Sequence, residues 1–396
     1  MTLSPDQQSA WETDGFFIVR GFAPTTTLES MTQRVIEIAR ASAQGQSVGD
    51  ALPQPETALN FPNDRPEEGL SKLFRIHRQE PVFRNWACDT GLLEYLVPLI
   101  GPEIDCFLSQ FIFKMPGAIG QPWHQDGHYF PFDRTPQVGV WLAVTEARFD
   151  NGPLWVLPGS HRETIHPTVP DPRPEANFGY VEIVDHDMSG AVPVLLEPGD
   201  ALFFHSHLMH KSTDNTARDR RAAMVYHYSD AATQDLSQEK WGFTPPNIDW
   251  MPVRRRIDTQ IEIAAPIAKV GQRLFDGQTY PDWNPYIVQI DGSIEAGQDL
   301  VALGVGADGS QLSMDVHVLE SGTHHMRWEG GAPDRNLFKG DHHFVLERLS
   351  SNRTRLHHYE EFTGSLIADL WPSQAPTIRE NFERMNQGLQ QACEST

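Results

Sequence analysis

The chain has 396 residues, 39% of them hydrophobic, so two domains of ordinary size can each fill a core. Its 53 Asp and Glu against 31 Lys and Arg leave a formal charge of −22, which opposes phosphate backbones and anionic lipid surfaces and excludes nucleic acid as a partner. No apolar run reaches the roughly 18 residues of a membrane span, and Cys88, Cys106 and Cys393 form neither a disulfide framework nor a thiolate zinc site.

The start, MTLSPDQQSAWETDGF, has no basic region followed by an apolar stretch, so the reading is a cytoplasmic protein. From Leu3 to Arg40 the pattern predicts two amphipathic helices around a short strand. Ser4 is the N-cap and Gly15 the break before FFIV. Residues 42–70, rich in Gly, Pro, Asn and Glu, predict an irregular excursion, and 71–100 a return to helix. From Asp105 short β-like runs (CFLSQFIFKM, VGVWLAV, GPLWVLPG, AVPVLLEPGDALFFH, AAMVYHYS) alternate with Gly, Pro and Asp, the spacing of a sandwich or double-stranded barrel.

The proline-bearing stretch SQEKWGFTPPNIDWMPVRRR, residues 237–256, is the candidate linker. It divides the chain into a domain over 1–245, a connection over 246–255 and a second domain over 256–396. In the latter, Ile257, Ile261 and Ile263 share one strand face, a short helix covers Pro266–Asp276, and Leu312, Met314, Val316 and Val318 line one side of another strand. A closing helix carries Ile378, Phe382, Met385 and Leu389 at helical spacing. One long helix across a curved antiparallel sheet is the simplest architecture for that order.

Residues 123–133, WHQDGHYFPFD, concentrate imidazoles and carboxylates among aromatics. On a strand, residues i and i+2 point to one side, so His124 and Asp126 can converge on an ion while Gln125 faces away. A third ligand is available downstream at His205, His207 or His210, which spacing alone does not separate. Two His and one carboxylate leave three adjacent coordination positions open, as non-haem Fe(II) oxygenases require. A 2-oxo acid takes two of them and O2 the third, provided a fixed cation holds the distal carboxylate. Arg218, Arg220 and Arg221 follow directly, and an arginine fork pairs bidentately with a carboxylate. The expectation is that His210 ends one strand and Arg221 opens the next. His128, His161 and His227 are read as structural or substrate-facing, and His186 in VDHDM as a polar-loop residue.

From about Leu3 to Tyr228 the chain resembles the phytanoyl-CoA dioxygenase family of Fe(II)- and 2-oxoglutarate-dependent oxygenases. The matching pieces, in order, are DGFFIVRGF, HQDGHYFPF, NGPLWVLPGSH, PGDALFFH and MHKSTDNTARDRRAAMVYHY. The resemblance implies a double-stranded β-helix (jelly roll) with flanking helices, and His124, Asp126 and His210 as iron ligands. It further implies Arg221 on the 2-oxoglutarate C5 carboxylate, helped by Ser212, with Trp141 and Lys114 lining the co-substrate pocket and Arg220 as the alternate arginine. Trp123, His128, Tyr129 and Phe130 are the substrate-facing candidates. Residues 256–396 are similar to the START-like (SRPBCC, polyketide-cyclase) superfamily with its α+β helix-grip fold, on IEIAAPIAKVGQRLFDGQTYPDWNPYI, GSIEAGQDL, LFKGDHHFVLE and TRLHHYEEFTGSL. There Trp283, Trp328, His343, His358 and Glu360 are read first as core packing and second as cavity lining.

The function these likenesses imply is oxidation, by default hydroxylation, of a C–H bond in a hydrophobic small molecule. Fe(II), 2-oxoglutarate and O2 are consumed or held, and succinate and CO2 released. The alternatives are an oxygenase–cyclase whose second domain processes the product through residues such as His358 and Glu360, and a non-catalytic carrier. The acidic charge, with no dense basic patch, disfavours a polyphosphate ligand such as a coenzyme A thioester, and the ending CEST is not a peroxisomal address.

Overall fold

The computed structural model describes residues 3–57, 59, 64–174, 176 and 179–395. The chain divides into two compact units, one of residues 1–87 with 91–252 and the other of 88–90 with 253–396.

The first unit opens with α1 (Pro5–Asp14), β1 (Phe16–Val19) and α2 (Thr25–Ala43). Ser4 caps α1 as expected: its hydroxyl accepts from the Gln7 amide at 3.2 Å, and the Gln7 side chain accepts from the Ser4 amide at 2.9 Å. Gly15 ends the helix at φ +83°, where any Cβ would meet the His161 ring at 2.4 Å, so only glycine fits. The amphipathic reading holds for α2, which buries Leu28, Met31, Val35 and Ile38, and fails for α1, which buries no residue.

The region expected to be irregular contains β2 (Leu52–Pro55), with residues 58 and 60–63 outside the described ones. Residues 71–74, expected to begin a helical region, lie instead in the strand β3 (Leu70–Phe74). Five residues are too few for a helical period to be told from a strand's, and pairing with a neighbour decided it. Helices α3 (Pro81–Ala87) and α4 (Thr90–Ile100) then follow.

The remaining strands of this unit are β4 (Ile104–Lys114), β5 (Val138–Ala143), β6 (Leu154–Val156), β7 (Val169–Pro170), β8 (Val181–Glu182), β9 (Val192–Val194), β10 (Ala201–His205), β11 (His210–Ser212) and β12 (Arg221–Asp230). A larger antiparallel sheet runs β1-β10-β5-β12-β4-β3-β2 and a smaller one β11-β6-β9. Both feed one core, in which Trp141, Leu202, Phe204 and Val225 of the larger sheet meet Leu154, Val156 and Val194 of the smaller. Every residue of β5 is buried, as is all of β12 except its last, which explains why VGVWLA and AAMVYHYS lack polar alternation. The buried phenols of Tyr226 and Tyr228 donate to the carbonyls of Phe83 and Ala87, fixing α3 to β12.

The proline-rich stretch is not plain linker: it holds a short helix α5 (Ser237–Trp241) and the start of a long strand β13 (Met251–Ile263). The second unit continues with α6 (Ile267–Leu274), α7 (Tyr280–Trp283), β14 (Ile287–Asp291), β15 (Asp299–Val305), β16 (Gln311–Ser321), β17 (His325–Gly331), β18 (Lys339–Ser350), β19 (Arg353–Thr363) and α8 (Ile367–Glu394). Its strands form an antiparallel sheet in the order β13-β19-β18-β17-β16-β15-β14, a meander whose last strand pairs back with the first. Phe382, Met385 and Leu389 of α8 are buried, as expected from their spacing. Of the four residues assigned to one face of β16, Val316 and Val318 are buried, Met314 is half-buried and Leu312 is 61% exposed, so the covered face ends before the strand does. Trp283 and Trp328 are core residues, and His343 stacks on Tyr359 with ring centroids 4.4 Å apart. No helix among the described residues is long and apolar enough to cross a membrane.

Candidate metal centre

His124 and Asp126 converge, but not by strand parity. His124 lies in an isolated antiparallel bridge to His210, and Asp126 opens a 3-10 turn over Asp126–His128. His210 opens β11 rather than ending a strand, so the bridge sets the two imidazoles side by side with centroids 4.1 Å apart. Their Nε2 atoms stand 3.5 and 3.6 Å from Asp126 Oδ1. All three residues are buried, and they form a group able to hold a metal ion.

The tautomers strengthen that fit. His124 Nδ1 donates to the Pro122 carbonyl at 2.8 Å and His210 Nδ1 to the Leu208 carbonyl at 2.9 Å. In the neutral ring each donation leaves the lone pair on Nε2, so two lone pairs face a carboxylate oxygen. Acceptors so arranged attract a cation, and carbonyls on the far nitrogen are the usual support of a metal-bound imidazole. Burial holds His210 down at about 4, so the ring stays neutral. Burial alone raises the Asp126 carboxyl; His210, His124 and His227 outweigh it and hold the group well below the usual range.

Arg221 opens β12 in direct register with Lys114 at the end of β4. Its side chain is fully buried, donates from Nη2 to the Gly152 carbonyl at 3.0 Å, and lies 5.2 Å from the centroid of Trp141. Among the described residues its Nε and Nη1 have no hydrogen-bond partner. Lys114 donates to the Ser212 hydroxyl at 2.8 Å and the Thr213 carbonyl at 2.6 Å. Among the described residues neither cation has a carboxylate within ion-pair distance. Burial pushes Arg221 down to about 10, and burial together with Arg221 lowers Lys114 far below its ordinary value. Two adjacent buried cations with free donors fit an anion, and the carboxylate of a 2-oxo acid has the required shape.

One cavity of about 960 Å³ joins these groups. It is lined by His124, Asp126 and His210, by Arg221, Ser212, Trp141 and Lys114, and by His128, Tyr129 and Phe130. Burial lowers His128 and raises the Tyr129 phenol to about 12, so both remain neutral at physiological pH. Trp123 does not face this cavity. It packs with Leu157, Ile183 and Met209, while Lys211 Nζ lies 5.1 Å from its ring centroid. The bridge that turns His124 inward turns its neighbour outward.

The other downstream candidates fall elsewhere. His205 accepts from the His207 amide at 2.9 Å and packs against Trp11, and His207 lies on the Glu163 carbonyl at 3.3 Å. Arg220 covers the Phe113 ring instead of joining Arg221. Of three further contributors, one is read from the sequence only as structural or substrate-facing and two are given no role at the site. His227 lines the cavity with Nε2 3.6 Å from Asp126 Oδ2. Gln125, between two of the triad, uses its side chain to bind the Thr164 and His207 carbonyls and the His166 amide. Gly152, at φ +82°, brings its carbonyl to Arg221 where a Cβ would meet Lys114 at 2.5 Å and the Thr213 carbonyl at 2.6 Å. The Asn-Gly-Pro turn was the available signal for it.

The bovine peroxisomal phytanoyl-CoA dioxygenase is 28% identical over 254 residues, covering 62% of this chain and 74% of its own. Bovine phytanoyl-CoA dioxygenase domain-containing protein 1 is 25% identical over 291 residues, covering 63% of this chain and 98% of its own. Among solved structures, the chain is similar to the apo non-haem monooxygenase ThoJ (TM-score 0.46, 21% identity, 57% of this chain and 78% of that one). It is also similar to EctD from S. alaskensis crystallised with 2-oxoglutarate and 5-hydroxyectoine (TM-score 0.45, 22% identity, 58% and 77%). Residues 11–223, more than half of the chain, match the family described as Phytanoyl-CoA dioxygenase (PhyH), and the chain is a dioxygenase belonging to that family.

Proposed function

We propose that the first unit is an Fe(II)- and 2-oxoglutarate-dependent oxygenase, built on a double-stranded β-helix, that oxidises a C–H bond of a hydrophobic small molecule. His124, Asp126 and His210 hold the iron. Arg221 takes the C5 carboxylate of 2-oxoglutarate through Nε and Nη1, Lys114 and Ser212 lie beside it, and Trp141 forms one wall. The observation that carries this reading is the buried guanidinium with two unpartnered N–H groups in the cavity of a His-Asp-His cluster. Iron, 2-oxoglutarate and O2 together supply the oxidising power, with succinate and CO2 as co-products.

The chain's own residues bind and orient. The cavity is of the size that encloses a metabolite-sized ligand, and Leu108, Phe113, Phe130 and Ile248 give it an apolar lining. Leu52, Trp241 and Phe243 are exposed apolar side chains that also line it, and Trp241 stacks on Phe243 with centroids 5.9 Å apart. Such a lining favours an apolar substrate and excludes water from the reacting carbon. Hydroxylation is the default outcome. The test is 2-oxoglutarate-dependent succinate release under air with added Fe(II) across hydrophobic candidates, with His210→Ala as control. Loss of both iron binding and succinate release in that variant is expected; unchanged turnover overturns the ligand assignment.

The second unit reads as a START-like helix-grip domain, supported by its antiparallel meander and the long buried-face helix α8. One observation favours a reading in which it acts on the oxidised product. His342 Nε2 lies 2.6 Å from His358 Nε2, His358 Nδ1 donates to Asn386 at 2.7 Å, and Asn386 donates to Thr259 at 2.9 Å. Glu360 stands 3.7 Å from His342 Nδ1, outside hydrogen-bond reach, and burial raises its carboxyl to about 8, so a protonated acid lies beside the hydrogen-bonded chain that runs from His342 to Thr259. His358→Leu in the full chain separates the two roles: succinate release is retained while the final product changes.

A further inference from the structure

We infer that Glu163, His166 and His186 form a second metal site, separate from the His124–Asp126–His210 cluster, for a zinc-type divalent transition ion. His166 Nε2 lies 2.8 Å and His186 Nε2 3.2 Å from the same carboxylate oxygen, Glu163 Oε2, and the two rings are nearly perpendicular at 86° with centroids 5.1 Å apart. The potential ligand atoms all fall within 4.8 Å of one another. A tetrahedral ion with bonds of about 2.0–2.1 Å separates its ligands by about 3.3–3.4 Å, so small outward shifts admit one.

At His186 the hydrogen bonding repeats the device of the first centre. His186 Nδ1 reaches the Asp187 carbonyl at 3.1 Å. In the neutral ring that bond leaves the Nε2 lone pair facing both oxygens of Glu163, at 3.4 and 3.2 Å, an opposition of acceptors that a cation between them relieves. Two imidazoles and one carboxylate suit zinc, with a water completing the fourth position. Access is open: the side chains of Glu163, His166 and His186 are 43%, 23% and 20% exposed. The chain's charge of −22 favours cation approach at long range.

The loop that carries the site is held in place from the core. Gln125, the residue between His124 and Asp126, binds the Thr164 carbonyl and the His166 amide, at 3.2 and 2.8 Å. Two of the three groups are therefore set by backbone already ordered without the ion, which lowers the entropy cost of assembling them.

The test counts metal. Metal-stripped full-length chain is titrated with Zn(II), and bound zinc is measured by equilibrium dialysis and elemental analysis. The wild type is expected to bind two equivalents, His166→Ala/His186→Ala one and the triple variant that adds His210→Ala none, with wild-type melting temperature in the zinc-free double variant. Glu163→Gln, which preserves side-chain size, is expected to weaken the second equivalent about 10- to 100-fold, at least the loss that follows removal of an outer-shell partner. A single equivalent in the wild type, or two unchanged in the double variant, overturns the inference. If His210→Ala alone keeps both equivalents while the double variant loses one, the surface site stands and the first-centre assignment falls.

Discussion

Arg221→Met is the sharpest test of the co-substrate pocket, because the same side chain is costly without an anion and valuable with one. Without an anion, the wild-type guanidinium is desolvated with Nε and Nη1 unpartnered. Against that cost stand one charge-assisted bond to the Gly152 carbonyl at 3.0 Å and the Trp141 face at 5.2 Å. An unsatisfied buried donor costs about 1–3 kcal/mol, and the two favourable contacts return a similar sum, so a methionine of like length leaves co-substrate-free stability within about 1 kcal/mol. With 2-oxoglutarate bound the account changes. Two hydrogen bonds to a charged group contribute about 1.5–3 kcal/mol each, about 3–6 kcal/mol together, so their loss is at least about 100-fold in affinity. The assay pairs urea unfolding of the metal-free, co-substrate-free protein with the 2-oxoglutarate dependence of succinate release. A variant that unfolds several kcal/mol more easily yet binds 2-oxoglutarate normally refutes the reasoning, since Arg221 is then a structural residue.

Gly152→Ala is expected to destabilise by at least about 2 kcal/mol and to raise the 2-oxoglutarate requirement. A left-handed φ of +82° costs an L residue about 1–2 kcal/mol, and the new Cβ displaces Lys114 and the Thr213 carbonyl. Thermal unfolding and succinate assays check both. Glu360→Gln tests the half-buried acid of the second unit. A carboxyl whose folded pKa is raised to about 8 stabilises fully below the unfolded value of about 4.5 and progressively less as pH rises toward 8. At about 1.4 kcal/mol per unit, Glu360→Gln is expected to be roughly 3–5 kcal/mol more stable than the wild type at pH 8 and about equal at pH 4.5. Parallel urea curves for the two proteins across that range contradict it.

What could be read from the sequence depended on whether the signal was local. The Ser4 cap, the Gly15 stop, the apolar stripe of α2 and the spacing of Phe382, Met385 and Leu389 are written within single elements, and each recurs in the fold. The pairing of His124 with Asp126 was legible as a pair, though its cause was misassigned, because a bridge and a 3-10 turn bring together what strand parity seemed to. The choice of His210 over His207 was not legible from spacing. It turns on which residue bridges to His124, a contact across more than 80 positions. Gly152, His227 and the Glu163–His166–His186 cluster share that property. Their partners lie far along the chain or across a loop, where no periodicity reaches.

That limit has a physical counterpart in how the centre is built. Apart from His227, which lies within β12, its polar residues sit at the ends of elements: His210 and Arg221 open β11 and β12, Lys114 ends β4, and Asp126 opens a turn. At such positions neighbouring backbone carbonyls are not all consumed by sheet pairing. Pro122, Leu208, Gly152 and Thr213 spend theirs on His124, His210, Arg221 and Lys114 respectively. Each carbonyl supports a group without neutralising it, so the imidazole lone pairs and the guanidinium N–H groups stay free for ligands. A carboxylate in the place of any of these carbonyls would satisfy the same geometry and, by pairing with the cation or competing for the metal, close the centre. Supporting charge by dipoles rather than by counter-charges is therefore what keeps one end of the cavity receptive to a cation and the other to an anion.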